Sequence, residues 1–261
     1  MKLTKLVIAG ALATTLISPV IMAADTSTPP MTDAQKKDIE KVIHDYLVAN
    51  PEVLVEASQA LQQKQQQNMQ QQAQAAILEN ADQLFQGKYT VVGNPKGSVT
   101  VVEFFDYQCI HCKKMSPTIN NLLKKDSGLR VIYKEFPIFG KSSDFASRAA
   151  LAAGMQGKYQ VMHNALIETD KRLDDKVVMD IAKSVGLNLD KMKKDMDSKE
   201  VTDILDANRQ LAEKMHLMGT PAFIIAATPD GQFKKGTEPS FIPGAASEDS
   251  LRELIKKAAG N

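Results

Sequence analysis

Apolar positions change their spacing several times along this 261-residue chain, and each change marks an element. Leu6 to Met22 is mostly apolar behind Lys2 and Lys5, with Ala23 and Ala24 before Asp25. That order predicts a secretory signal peptide over residues 1–24, with an apolar core short for a membrane span. A Pro-, Ser- and Thr-rich stretch follows, and Thr32 with Gln35 then resembles a capping box. Ile39, Val42, Ile43, Tyr46 and Leu47 recur at helical spacing. Between Glu52 and Gln86 there is neither Gly nor Pro, which predicts one long helix or two in line. Ten of the sixteen residues 59–74 are glutamine, so this helix has only two thin apolar stripes. One is Val53, Leu54, Ala57 and Leu61; the other is Ala73, Ala76, Ile77 and Leu84. A helix this polar frays without a partner, so residues 25–86 are read as an N-terminal oligomerisation arm.

Beyond Gly87 the pattern turns to short apolar runs. Tyr89 to Val92 and Val99 to Phe105 predict two strands, and Leu129 to Phe136 a third. The segment from Lys113 to Lys124 lies between them and reads as a helix. From Phe145 to Met196 the spacing is helical throughout, and Val201 to Met215 predicts a further helix. Pro221 opens the β-branched run ending at Ala226, a place where a strand tolerates proline. Two short strands and a helix from Ser247 to Ala259 close the chain.

The only two cysteines stand three apart, as Cys109-Ile110-His111-Cys112, at the junction between the strand ending near Asp106 and the helix that follows. A helix start presents unpaired N–H groups and the positive end of its dipole, and both favour a thiolate. A structural disulfide this short would add little stability, and a zinc site needs more ligands than two cysteines and His111. The spacing at that junction is the arrangement of thioredoxin-like redox proteins, whose cis-proline corresponds to Pro221 in Gly219-Thr220-Pro221. Glu103 is an acid in an otherwise apolar strand, where an unpaired charge is costly. Lys134 on the next strand is its candidate partner.

Phe104, Phe105, Cys109, His111, Cys112, Lys113, the helical block and Gly219-Thr-Pro-Ala-Phe together resemble the DsbA-like thiol:disulfide oxidoreductases over residues 88–261. The resemblance implies an α/β thioredoxin fold with an inserted helical domain at about 140–196, preceded by the N-terminal helical oligomerisation segment. It makes Cys109 the attacking and exposed cysteine, Cys112 the buried resolving one and Pro221 the cis-proline. It also places a buried glutamate at Glu103, near Cys112, as a proton acceptor. His111 is expected to depress the Cys109 pKa further. Strong oxidases of that family usually have Pro-His where this chain has Ile110-His111, and valine where it has Thr220. Both departures count against a pure oxidase.

Charge narrows the class further. The whole chain has 32 Lys plus Arg against 31 Asp plus Glu, and loss of 1–24 leaves a net charge of about −1. Nothing in that balance suggests nucleic-acid binding. Export implies an oxidising compartment, here the periplasm. The expected partners are unfolded or misfolded exported proteins, a membrane redox partner and a second copy of the chain in a homodimer. No cofactor or metal is implied. A copper-binding or chaperone protein using the same thiols is the alternative, and the methionines are expected to fill the core instead.

Overall fold

A computed structural model describes residues 31–260, so the expected signal peptide lies outside the described residues. The chain divides into two compact units, Met1–Ser58 and Gln59–Asn261. In the first, α1 (Asp33–Ala49) starts at the Thr32 capping box and buries no residue. Its apolar stripe stays in water, with Val42, Ile43 and Tyr46 exposed. α2 (Glu52–Glu79) begins in this unit and continues into the second, and the short α3 (Ala81–Leu84) follows it.

In the second unit five strands form one sheet in the order β1-β3-β2-β4-β5. They are β1 (Val91–Gly93), β2 (Val99–Phe105), β3 (Leu129–Glu135), β4 (Ala222–Ala227) and β5 (Ser240–Ile242). β2 and β3 are parallel, with Glu103 opposite Tyr133, and the remaining pairs are antiparallel. The β2–β3 crossover is α4 (Ile110–Lys125). Both central strands are buried on both faces, which is why they read as continuous apolar runs. The helical block between β3 and β4 comprises α5 (Lys141–Gly154), α6 (Tyr159–Ile167), α7 (Asp175–Ser184), α8 (Leu189–Met196) and α9 (Lys199–Lys214). The last helix is α10 (Glu248–Ala259), capped by Ser247.

One face of the sheet, with Val101, Phe105, Val131 and Phe223, packs on α4, α10 and the helical block. Small residues of α5, among them Ala146, Ala149 and Ala153, let the other helices approach it closely. Met162, Met192 and Met196 fill that core. The other face, with Val102, Phe104, Ile132 and Ile224, is covered by Leu211 of α9 and by Met215, the residue that caps it.

That second face also takes Ile77, Ala81, Leu84 and Phe85. The core of this unit therefore begins before Lys88, where the sequence places its start. A stripe read from spacing as an oligomer contact is instead the lid of one sheet face, because the exposed side of Val102, Phe104 and Ile132 needs an apolar cover. Lys134 belongs to this face too. Its ammonium donates to the carbonyls of Gln83 and Gln86 at 2.9 and 2.8 Å, capping the end of α3. Glu103 points to the opposite face, since strand side chains alternate. The expected Glu103–Lys134 pair does not form.

Candidate active site

The loop between β2 and α4 is held by Asp106. Its carboxylate accepts from the backbone N–H groups of Gln108, Ile138 and Phe139 at 2.7, 2.7 and 3.0 Å, and from the Ser143 hydroxyl at 2.7 Å. Gln108 in turn donates to the Phe139 carbonyl and to Ser143. Four hydrogen bonds on one buried carboxylate set where the next residues begin their helix. Sequence reading passed over Asp106, although an acid between Phe105 and Tyr107 at a strand end was a signal for it.

Cys109 is the N-cap of α4. Its sulfur accepts from the Cys112 backbone N–H at 3.3 Å and donates to the Thr220 carbonyl at 3.2 Å. The Thr220–Pro221 peptide is cis. The structure thus brings Cys109, Cys112, Thr220 and Pro221 together. Both thiols are free, and Cys109 is only 3% exposed. The expectation of an open Cys109 is corrected: the cis-proline loop folds over the sulfur, and Ile110 and His111 are the exposed members of the motif.

Electrostatic asymmetry survives that burial. The hydrogen bond shared with Cys112 pulls the Cys109 pKa down to about 5, against the opposing effect of burial and helped by the backbone N–H groups of Cys112 and His111. Residue 111 thus acts on the sulfur through its main chain. The same shared hydrogen bond pushes Cys112 strongly up, and burial and the nearby Glu103 carboxylate add to the rise. Glu103 is itself pushed up to about 8, first by burial and then by the charge of Cys109. No described side chain donates a hydrogen bond to it. The arrangement pairs a stabilised thiolate with a reluctant thiol and places beside them an acid able to exchange a proton near neutral pH.

Of the other histidines, His163 is buried among Phe105, Tyr107, Tyr133 and Tyr159, and burial pushes its pKa down to about 3. His216 lines the cleft beside the cis-proline loop. Among the described residues no group of three or more His, Cys, Asp or Glu converges as a metal site, and no helix is long and apolar enough to cross a membrane.

The chain as a whole is similar to known proteins. Residues 100–256 match the DSBA-like thioredoxin domain, and residues 35–68 match the copper resistance protein ScsC N-terminal domain. The chain is 32% identical to BcfH of Salmonella enterica Typhimurium, covering 87% of this chain and 97% of that one with a TM-score of 0.73. It is 31% identical over 135 residues to the thiol:disulfide interchange protein DsbA of Pseudomonas syringae, 49% of this chain and 63% of that protein. It also matches the Na(+)/H(+) antiporter NhaA 3 of Salinispora tropica, 26% identical over 52% of this chain, but spans only 21% of that longer protein.

Proposed function

Because the chain belongs to the DSBA-like thioredoxin domain family, we propose that it is a periplasmic thiol:disulfide oxidoreductase that forms or isomerises disulfides in exported proteins. The observation that carries this reading is the asymmetric pair: a Cys109 thiol held down to about 5 and hydrogen-bonded to the cis Thr220–Pro221 loop, beside a Cys112 thiol pushed up.

In oxidation, a substrate thiolate attacks Cys109 Sγ of the Cys109–Cys112 disulfide. A substrate–Cys109 disulfide forms and the Cys112 sulfur leaves with the electron pair and takes up a proton. A second substrate thiolate then attacks the substrate sulfur and expels Cys109 as the stabilised thiolate. The substrate has lost two electrons and the protein has gained them. In isomerisation the Cys109 thiolate attacks a substrate disulfide instead, and the leaving substrate thiolate attacks elsewhere in its own chain. Cys112, deprotonated by Glu103, resolves complexes that stall. Thr220 and Ile110 place the chain away from the usual pattern of strong oxidases, in keeping with a share of isomerase activity.

A homodimer follows from the first unit, whose α1 leaves Val42, Ile43 and Tyr46 in water. A membrane redox partner recycles the pair. Copper chemistry is the competing reading, drawn from the match at residues 35–68. The described donor set offers two thiols with no third converging ligand, so no step is derived through a metal. The deciding experiment equilibrates the protein with glutathione and then measures insulin reduction and scrambled-ribonuclease recovery. Exchange with glutathione and turnover in at least one protein assay are expected; no exchange in any of them overturns the proposal.

A further inference from the structure

The glutamine-rich segment takes no part in the exchange of electrons between thiols. Its residues Gln62, Gln65, Gln66, Met69, Gln70 and Ala73 recur at one face of α2 and line a cleft of about 620 Å³. Thr220, Pro221 and Ala222 also line that cleft, together with Leu217, Met218, Phe241 and Pro243. The helix is pinned at its C-terminal end. Ala73 and Ile77 are buried, and Gln74 donates to the Pro239 carbonyl at 2.9 Å.

The two kinds of lining residue differ in chemistry. Leu217, Met218, Phe241 and Pro243 present apolar groups, with Met218 93% exposed at the rim. A thioether in that position adapts its shape to varied side chains. The α2 residues present primary amides, each of which donates and accepts without carrying charge. An extended polypeptide has the complementary pattern: alternating N–H and C=O groups along its edge and side chains to either side. From Gln62 to Ala73 the helix rises about 16 Å, the length of roughly five residues of extended chain. The cleft is linked to the Cys109 sulfur through one lining residue, Thr220, whose carbonyl accepts from it. The Thr220 hydroxyl is buried there with no hydrogen-bond partner.

We propose that the glutamine face of α2 is a specificity-determining wall of the substrate cleft, which holds an extended, cysteine-containing segment of unfolded polypeptide by its main chain and is therefore indifferent to the segment's charge. This rests on the oxidoreductase reading and deepens it. Side chains of the bound segment contact Met218 and Phe241, while its backbone faces Gln62, Gln66 and Gln70.

The test compares the wild-type full chain with a Gln62→Ala, Gln66→Ala, Gln70→Ala variant and a Gln62→Glu, Gln66→Glu, Gln70→Glu variant. All three positions are exposed, and alanine is the better helix former, so the fold is retained. Two substrates are used: glutathione, which needs no cleft, and reduced cysteine peptides matched in length but differing in charge. The alanine variant is expected to lose about tenfold in kcat/KM for the peptides, mainly through KM, with glutathione exchange unchanged. The wild type is expected to treat acidic and basic peptides within about threefold of each other, and the glutamate variant to prefer basic ones by tenfold or more. Peptide kcat/KM within twofold of wild type in the alanine variant overturns the wall, as does a change of its oligomeric state in sedimentation, which would assign the cleft to a second copy's arm. Absence of glutathione exchange in the wild type instead overturns the oxidoreductase reading, so the two failures are distinct.

Discussion

Glu103 and Glu135 lie on neighbouring strands, face the same side of the sheet and are both buried, and burial pushes each up to about 8. The regions around them are otherwise unlike. At Glu135, where the sheet meets the helical block, the Tyr107 and Tyr159 hydroxyls donate to one carboxyl oxygen at 2.9 and 2.7 Å. Asn208 of α9 donates to the Glu135 backbone carbonyl at 3.0 Å, and the His163 ring lies against Tyr133 and Tyr159. This acid joins β3, the β2–α4 loop, α6 and α9. At Glu103 there is no such anchoring, and its charged neighbours are the Cys109 and Cys112 thiols. Burial raises both carboxyls, and at Glu135 hydrogen bonds from the tyrosines work against that rise, whereas at Glu103 the charge of Cys109 adds to it. The anchored one is a strut; the unanchored one, beside a thiol, is the acid to which the proposed function gives the proton transfer.

The largest effect is expected from removing one sulfur of the pair beside Glu103. Cys109→Ala is expected to abolish all exchange, whereas Cys112→Ala keeps the attacking thiolate and accumulates mixed disulfides with substrates, read on non-reducing gels. Equal trapping by both variants would contradict the assignment.

The next test sets the two acids against each other in rate. Glu103→Gln is expected to slow resolution of a preformed mixed disulfide by roughly 10- to 100-fold. Glu135→Gln, which keeps an acceptor for both tyrosines, is expected to change that rate by about threefold or less. Rapid-quench kinetics separate the two, and similar slowing in both would erase the distinction.

Stability should show the reverse order. Glu135→Ala leaves two buried hydroxyls without an acceptor and opens a cavity, at a cost of about 3 kcal/mol in urea unfolding. Glu103→Gln should instead flatten the pH dependence. A raised carboxyl means that the folded state binds the extra proton, so stability is fully present below about 4.5 and is lost as pH rises towards 8. His163 has the opposite sign: it is neutral when folded, so stability is present above about 6.5 and lost as pH falls towards 3. Denaturant midpoints across this range that do not change with Glu103→Gln would refute the buried-acid account.

The smallest effect is on the thiolate itself. Alkylation of reduced Cys109 is expected to follow a single ionisation near pH 5. The depressed value also stabilises the reduced protein, fully above about pH 9 and not at all below about pH 5. Glu103→Gln should move the alkylation midpoint only slightly, because the hydrogen bond shared with Cys112 dominates it. A midpoint near that of an ordinary thiol would remove the electrostatic asymmetry altogether.

Local information was enough for much of this protein. Apolar runs placed β2, β3 and β4, helical spacing placed the block after β3, and the Cys109–Cys112 spacing placed both thiols at a strand–helix junction, since each depends on residues close in the chain. Period-two alternation also implies that Lys134 and Glu103 face opposite ways, once the strands are known to pair in register. Tertiary structure decided the rest. Whether Ile77 and Leu84 cover a partner or their own sheet depends on which surface is left bare by strands far away in sequence. Whether Cys109 is open depends on a loop more than a hundred residues downstream folding over it. The value of Asp106 and Glu135 lies in hydrogen bonds from Ser143, Tyr159 and Asn208, and the glutamines of α2 gain a role only where they line a cleft with Thr220. Spacing along a chain records which face a residue shares with its neighbours; what stands opposite that face is settled only when distant segments are packed to bury apolar surface and satisfy buried polar groups.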